Sequence, residues 1–269
     1  MSESQANYFA LPAFTLWWRE MVRFFRQRDR VVGALGTPLV FWLLLGSGLG
    51  RSFRTPTAPE GHGYLEYFFG GTIVLVLLFT AIFSTISIIE DRREGFLQGV
   101  LVAPVGRFGL VLGKILGGTT LALVQGLVFV LLAPFVGLTL SVASVIWLTV
   151  VMFLLAFALT GLGFLIAWRM DSTQGFHAIL NLFLIPLWLL SGAVFPASGA
   201  PAILRWVMAC NPVTYGVMAI RQGLYWNVPS ASASLPSREI NLCVTAIFAV
   251  VMFALSLRAA RRTTRGDLQ

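Results

Sequence analysis

The chain has 269 residues, of which 57% are hydrophobic and 11% are charged. Soluble domains carry about a quarter charged residues, so this composition excludes a soluble globular protein and indicates an integral membrane protein. The formal net charge of +8 does not indicate nucleic-acid binding. The basic residues are scattered along the chain instead of gathering on one soluble face with interleaved aromatic residues.

Six apolar runs are long enough to cross a bilayer as helices, since a spanning helix needs roughly 20 apolar residues. They cover approximately 31–50, 67–89, 110–136, 142–168, 174–195 and 240–257. If the chain crosses the bilayer six times in this order, fourteen of the 19 basic residues lie on the same side as the N-terminus. Because cytoplasmic loops carry the excess of Lys and Arg, both termini are predicted to be cytoplasmic. The expected fold is an all-α membrane protein with six transmembrane helices in a single domain, 1–269.

An amphipathic helix is predicted over residues 13–30, ahead of the first span. Bulky apolar residues recur at helical spacing on one face, and arginines recur on another. The residues that define the two faces include Trp17, Trp18, Arg19, Arg23 and Arg26. Such a helix is expected to lie in the membrane plane among lipid head groups. A plain positively charged anchor before the first span is the alternative.

The segment 90–107 places a dense group of charged residues between the second and third spans. Charged groups can fix orientation against a partner surface, while apolar residues from Phe96 to Leu101 offer a ridge. Gly95 permits a sharp turn, and Pro104 is expected to end a short helix. The pattern predicts a docking element for a soluble partner at the cytoplasmic membrane surface. A solvated charged loop is the alternative.

Two further connections carry predictions. The inner turn 169–173 is either a second contact for a cytoplasmic partner or a capping turn that uses Asp171 and Ser172. The outer segment 196–228 is too apolar for a soluble loop and too broken by prolines to span. It predicts two short helices at the outer leaflet, around 202–210 and 213–225. They form either a cap that shapes an exit for amphipathic cargo or simple outer packing.

Catalytic and metal-binding patterns are missing from the sequence. There are two histidines, and no His-Glu-x-x-His pattern is present. The stretch 109–115 superficially resembles a phosphate-binding loop, but it is one residue short and lacks Ser or Thr after Lys114. No catalytic residue, no metal and no bound cofactor is therefore predicted. The chain is not expected to hydrolyse a nucleotide, so energy must come from elsewhere.

Three segments together resemble the permease subunits of ABC-2 type exporters, a group that includes nodulation-factor and daunorubicin-type efflux permeases. The first is WWREMVRFFRQRDRVVGALGTPLVF, in which an arginine-rich helix runs into a proline-containing span. The second is EDRREGFLQGVLVAPVGRFGLVLGK, and the third is NPVTYGVMAIRQGLY before the final span. The resemblance covers essentially the whole chain, and the middle segment is its most specific part.

The resemblance implies a half-transporter in the bacterial inner membrane. Two six-span subunits, either identical or homologous, would each rest on a separate ATP-binding-cassette subunit that carries ATP and Mg. In this family the loop between the second and third spans carries the coupling helix. That role falls here on Glu90, Asp91, Arg92, Arg93, Glu94, Gly95, Phe96, Leu97, Leu101 and Pro104. The outer segment of the family corresponds to a cap that includes Asn211, Pro212, Tyr215 and Arg221.

The cargo is the least determined part of this interpretation. The N-terminal helix departs from the tyrosine-containing pattern of the polysaccharide branch, which favours a drug, lipid or glycolipid-like cargo. A polysaccharide exporter remains an alternative. Two other classes stay open: a membrane anchor that recruits a cytoplasmic protein, and a lipid-modifying membrane enzyme that would use Glu90, Asp91 and Glu94.

Overall fold

The computed structural model describes residues 3–26, 28–49, 63–102, 106–228 and 235–262. These residues form α-helices and two short 3₁₀ helices, with no β-strand among them. The α-helices are α1 (Glu3–Arg26), α2 (Arg28–Leu49), α3 (Tyr64–Ser84), α4 (Ile86–Arg93), α5 (Phe96–Val102), α6 (Arg107–Val130), α7 (Val142–Trp168), α8 (Thr173–Leu189), α9 (Ala202–Cys210), α10 (Pro212–Leu224) and α11 (Arg238–Arg262). The 3₁₀ helices are Ala133–Val136 and Ala197–Gly199.

Four stretches of the described helices are long and apolar enough to cross a membrane. They are Tyr64–Arg93, Arg107–Val130, Val142–Trp168 and Arg238–Arg261. The pair α9 and α10, bent by 84°, adds a fifth if it counts as one span. The predicted first and fifth spans are represented by shorter apolar helices, Leu35–Gly48 and Thr173–Leu189. The chain is therefore an all-helical, multi-pass membrane protein, and the count of six spans stays a prediction.

The predicted start of the helix 13–30 is wrong, because residues 3–12 are helical as well. Helix α1 spans Glu3–Arg26 and passes through Pro12, and α2 spans Arg28–Leu49; Gln27 lies outside the described residues. The predicted residues 13–30 thus cover the second half of α1 and the first residues of α2, and the predicted end at residue 30 stays a prediction.

The apolar face of α1 is divided between two environments. Met21 is buried and Trp17 is half-buried, whereas Phe14, Trp18 and Phe25 are each more than half exposed. The buried side packs on α6. Gly113 and Gly117 of α6 permit this approach, because a Cβ atom at either position would come within 3.0 Å of α1 atoms.

Helix α3 lies at the centre of the bundle. Most of its side chains are buried, and it packs against α2, α6, α7 and α10. Helix α4 continues from α3 after a break at Thr85 and carries the chain to one end of the bundle. The first part of the predicted docking segment is therefore an extension of the most buried helix of the fold.

Candidate functional site

The chain turns sharply between α4 and α5, within the predicted docking segment. Gly95 has a φ of 75°, in the left-handed region that side chains other than glycine rarely adopt. Helix α5 then runs from Phe96 to Val102. Pro104, which was expected to end this helix, lies outside the described residues. The turn predicted at Gly95 is therefore present, and it places α5 beside the end of α4.

Asp91 lies at the centre of a buried network of charges. Its carboxylate is fully buried and accepts two hydrogen bonds from Arg19, at 2.9 and 2.7 Å. Arg23 donates a third at 2.9 Å, and the ammonium of Lys114 donates a fourth. Asp91 therefore joins α4 to α1 through two arginines and to α6 through one lysine.

Two more carboxylates complete the network. Glu20 on α1 accepts a hydrogen bond from Lys114 at 2.5 Å, and Glu90 accepts one from Arg23 at 2.7 Å. Lys114 is also 3.3 Å from the hydroxyl oxygen of Ser87. We call these six charged residues the ion cluster: Arg19, Glu20, Arg23, Glu90, Asp91 and Lys114. It balances three cations against three carboxylates.

The burial of the ion cluster determines the energetic cost of removing one of its charges. Glu20 is 5% exposed and Lys114 is 6% exposed. The hydrogen bond to Asp91 raises the pKa of Arg19 above its ordinary value, against the opposing effect of burial. A buried ion pair adds little stability relative to apolar residues, but removing one partner costs about 3–5 kcal/mol because a buried charge is left uncompensated. The ion cluster therefore holds α1, α4 and α6 in one arrangement.

Arg92 and Arg93 tie the same segment to the turn between α7 and α8. Arg92 donates to the carbonyl oxygens of Trp168 at 2.6 Å and Met170 at 3.1 Å, and to the carboxylate of Asp171 at 3.1 Å. Arg93 donates to the carbonyl oxygen of Asp171 at 2.9 Å. The predicted second contact turn is thus bound to the docking segment itself. The alternative prediction, a capping turn that uses Asp171 and Ser172, holds in part. Ser172 caps α8, whereas Asp171 pairs with Arg92.

Helix α5 has a buried side and an exposed side. Leu97 is buried, and Leu101 packs against the core while partly exposed. Phe96 is 36% exposed and Val102 is 76% exposed. The guanidinium of Arg19 lies over the Phe96 ring, 3.8 Å from its centroid. The predicted apolar ridge is therefore divided, and its outward part consists of Phe96 and Val102.

The charged residues of the docking segment are also divided between an exposed side and a buried side. Glu94 is exposed and its carboxylate is 3.9 Å from Arg23, whereas Asp91 faces the interior. The exposed parts of α1 border this surface. Trp18, Arg23 and Arg26 line a groove of about 630 Å³ together with Glu94. The surface open to a partner is thus formed by the outer sides of α1 and α5 and the turn between α4 and α5.

Trp17 faces away from that surface. Its indole nitrogen donates a hydrogen bond to the hydroxyl oxygen of Thr120 at 3.0 Å, so this side chain links α1 to α6. Trp17 and Trp18, which the sequence pattern groups on one face, therefore have different surroundings. The prediction that α1 lies among lipid head groups is not changed by this contact.

The residues predicted for the outer cap lie in and beside α9 and α10. The Asn211 side chain accepts a hydrogen bond from the backbone of Val213 at 3.0 Å and caps α10, in which Pro212 is the first residue. The Tyr215 hydroxyl donates to the carbonyl of Ala209 at 3.0 Å. The two predicted short helices are confirmed as helices. Their position in the outer leaflet stays a prediction.

Arg221 has a different role from a solvated outer charge. It is 9% exposed and donates to the carbonyl oxygens of Gly192 at 2.8 Å and Ala193 at 3.3 Å. Its guanidinium also lies over the Tyr67 ring, 3.8 Å from the centroid. Arg221 therefore fastens α10 to the turn after α8 and to α3.

Sequence reasoning missed Glu20 as a member of the site and treated Lys114 only as part of a family segment. Both residues carried a usable signal. Glu20 is one of only two acidic residues among the arginines of 13–30, and Lys114 is an isolated charge within an apolar run. Ionisable residues in such positions almost always pair with one another. The sequence alone did not show that their partners are each other and Asp91.

These observations define a class of protein: an all-helical, multi-pass membrane protein in which charged residues at one end of the bundle connect several helices. The comparison with known families gives the assignment. A family model described as ABC-2 type transporter matches residues 13–225, and the chain belongs to this family. Members are transmembrane transport subunits and in general work with an ATP-binding-cassette ATPase.

Individual relatives agree with the family assignment. The chain is 27% identical over 258 residues to the transport permease ycf38 of Cyanophora paradoxa, covering 92% of this chain and 88% of the relative. It is 26% identical over 234 residues to nodulation protein J of Sinorhizobium fredii, covering 86% of each. Nodulation protein J of Rhizobium meliloti is 27% identical over 241 residues, again covering 86% of each. The chain is therefore a transport permease.

Proposed function

We propose that this permease is the membrane subunit of an exporter driven by a separate ATP-binding-cassette subunit, and that residues 90–102 are its coupling segment. ATP and Mg are bound and ATP is hydrolysed on the partner. The observation that carries the proposal is the two-sided character of this segment. Its outer side, from Arg93 to Val102, is exposed, while its inner side is fixed to the bundle by the ion cluster.

The inner contacts explain how a displacement of the segment could be transmitted to the other helices. Asp91 connects α4 with α1 and α6, and Arg92 connects α4 with the turn between α7 and α8. A rigid-body displacement of α4 and α5 must therefore either move these helices together or break buried ion pairs. Because breaking such pairs is costly, joint movement is the favoured response.

The assembly that we propose contains two permease chains, identical or homologous, and two ATPase subunits. Helices α2 and α8 support pairing, because both expose rows of large apolar side chains. They include Phe41 and Leu44 on α2, and Leu182 and Phe183 on α8. In a bilayer these rows can face lipid or a second permease chain.

An amphipathic cargo is the part of the proposal that concerns the substrate. A cavity of about 460 Å³ lies between α1, α2, α3, α4 and α8. Its walls include Phe24, Phe79 and Phe83, with Glu90 and His177 as polar groups. Ligand sites are typically apolar cavities of this size with a few polar groups. Such a cavity suits a drug, lipid or glycolipid-like molecule better than a polysaccharide.

The membrane and the orientation are also proposals. We place the chain in the bacterial inner membrane with both termini in the cytoplasm, because most of the basic residues then lie inside. The described contacts are consistent with one cytoplasmic end: Arg107 at the start of α6 donates to the carbonyl oxygen of Ala260 near the end of α11. The coupling segment and the end of α11 thus lie on the same side of the bundle.

The experiment that tests the proposal is co-purification. The tagged chain is extracted from its own membranes in a mild detergent, and the proteins that accompany it are identified by mass spectrometry. We expect a stoichiometric ATP-binding-cassette subunit. Val102→Asp should remove this subunit, because the side chain is exposed on α5. The matched control is Val142→Asp, which changes an equally exposed valine (78%) at the opposite end of α7 from the coupling segment.

Two outcomes would count against the proposal. If no ATPase accompanies the unmodified chain, the permease does not form the complex that we propose. If both valine variants retain the ATPase equally well, the partner binds elsewhere and residues 90–102 are not the docking surface.

A further inference from the structure

A groove lies between the ends of α7, α8 and α11, on the same side of the bundle as the coupling segment. Its volume is about 690 Å³. The walls are aliphatic, and two arginines stand at its edge. The residues that form these walls and this edge are Leu165, Ile166, Ile179, Leu255, Arg169 and Arg258. The groove is thus apolar along its length and cationic at the helix ends.

The two arginines differ from Arg23, Arg92 and Arg107, which are bound within the protein. Arg23 and Arg92 are bound to carboxylates, and Arg107 is bound to a backbone carbonyl. Within the part of the chain that the structure describes, neither Arg169 nor Arg258 has an ion pair or a side-chain hydrogen bond, and both are exposed. Two guanidinium groups line one groove, and neither has an anionic partner among the described residues. An anion from outside the chain is therefore expected to bind there.

We propose that this groove binds an anionic phospholipid of the adjacent leaflet. The lipid phosphate lies between Arg169 and Arg258, and an acyl chain lies along Ile179 and Leu255. The planar guanidinium group matches phosphate oxygens in a paired, charge-assisted geometry. Basic pockets between helices at the membrane boundary are suited to phospholipid head groups.

The apolar walls decide between a lipid and other anions. A free phosphate ion uses only the arginines and leaves the aliphatic walls without a function. An acidic protein surface would pair with the arginines but would leave the groove uncovered. A phospholipid satisfies both parts, because one molecule carries the phosphate and the hydrocarbon chain.

The position of the groove connects it to the coupling segment. Met170 lines the groove, and its carbonyl oxygen accepts the hydrogen bond from Arg92. A lipid held at Arg169 therefore adjoins the contact that ties α4 to the turn between α7 and α8. The inference goes beyond the proposed function and does not depend on the cargo or on the ATPase.

The test measures lipid binding to the purified permease chain by native mass spectrometry. The detergent-solubilised protein is titrated with phosphatidylglycerol or, separately, with phosphatidylcholine. We expect phosphatidylglycerol to bind more tightly, and Arg169→Gln and Arg258→Gln each to weaken its binding about tenfold. The control is Arg205→Gln, an exposed arginine on α9 away from the groove, which should leave binding unchanged.

A second variant separates a lipid from a free anion. Ile179→Trp fills the groove while both arginines remain, so it should weaken phosphatidylglycerol binding several-fold. Inorganic phosphate should not displace the lipid. The inference is overturned if phosphatidylcholine binds equally well, if the two arginine variants match the control, or if inorganic phosphate displaces the lipid and Ile179→Trp has no effect. It is also overturned if the arginine variants lose the ATPase while their lipid binding is intact.

Discussion

Neutralising Asp91 gives the sharpest test of the ion cluster. Asp91→Asn keeps the size of the side chain but removes its charge, which leaves three cations facing the carboxylates of Glu20 and Glu90. Because Asp91 and Lys114 are buried, the loss is expected to cost about 4 kcal/mol of unfolding free energy. At about 3 °C per kcal/mol for a domain of this size, the melting temperature should fall by about 12 °C. The measurement is thermal unfolding in detergent, followed by tryptophan fluorescence at one fixed heating rate.

A double variant tests whether charge balance is the cause. Asp91→Asn combined with Lys114→Met removes one charge of each sign and restores neutrality. The double variant should therefore be more stable than the sum of the two single effects by about 2 kcal/mol. Glu94→Gln is the control, since this exposed carboxylate is 3.9 Å from its cation and such pairs contribute about 0–1 kcal/mol. Equal melting temperatures for Asp91→Asn and Glu94→Gln would refute the reasoning.

Three further substitutions test local geometry, two of them in the coupling segment and one at the contact between α6 and α7. Gly95→Ala should lower the free energy of unfolding by about 1–2 kcal/mol, because the φ of 75° at this residue disfavours a Cβ atom. The control is Gly99→Ala in α5, which has open space around it and should not destabilise the protein. Gly118→Ala should lower the melting temperature, because its Cβ would lie 2.7 Å from the Thr160 methyl group and overpacking costs about 1–3 kcal/mol. Arg92→Gln should make trypsin cleave after Arg169 several-fold faster, because the turn between α7 and α8 loses its bonds to α4; an unchanged cleavage rate would show that these bonds do not order the turn.

The helices that are bounded by strong local signals could be predicted from the sequence. Helix α9 is found at the predicted residues, 202–210, because prolines and the Asn211–Pro212 pair delimit it on both sides. Helix α7 likewise begins and ends where the apolar run 142–168 does. In both cases local propensity and the hydrophobic pattern agree, so no long-range contact is needed to set the bounds.

The start of α1 and the ion cluster could not be predicted in this way. The apolar and arginine spacing that predicts the helix starts at residue 13, yet residues 3–12 are already part of α1. The pairing of Asp91 with Arg19 joins residues that are 72 positions apart, and the sequence pattern contains no information on such contacts. The charged residues at 90 and 91 therefore predict an outward surface, although Asp91 faces the interior.

The central claim is that the exposed side of residues 90–102 contacts an ATPase subunit. The most direct measurement places a photo-crosslinking amino acid at position 102 or, in a separate variant, at position 142, and irradiates cells that produce the chain at its natural level. The account predicts an adduct with an ATP-binding-cassette subunit from position 102 and none from position 142. An absence of that adduct at position 102, or equal adducts from both positions, would contradict it.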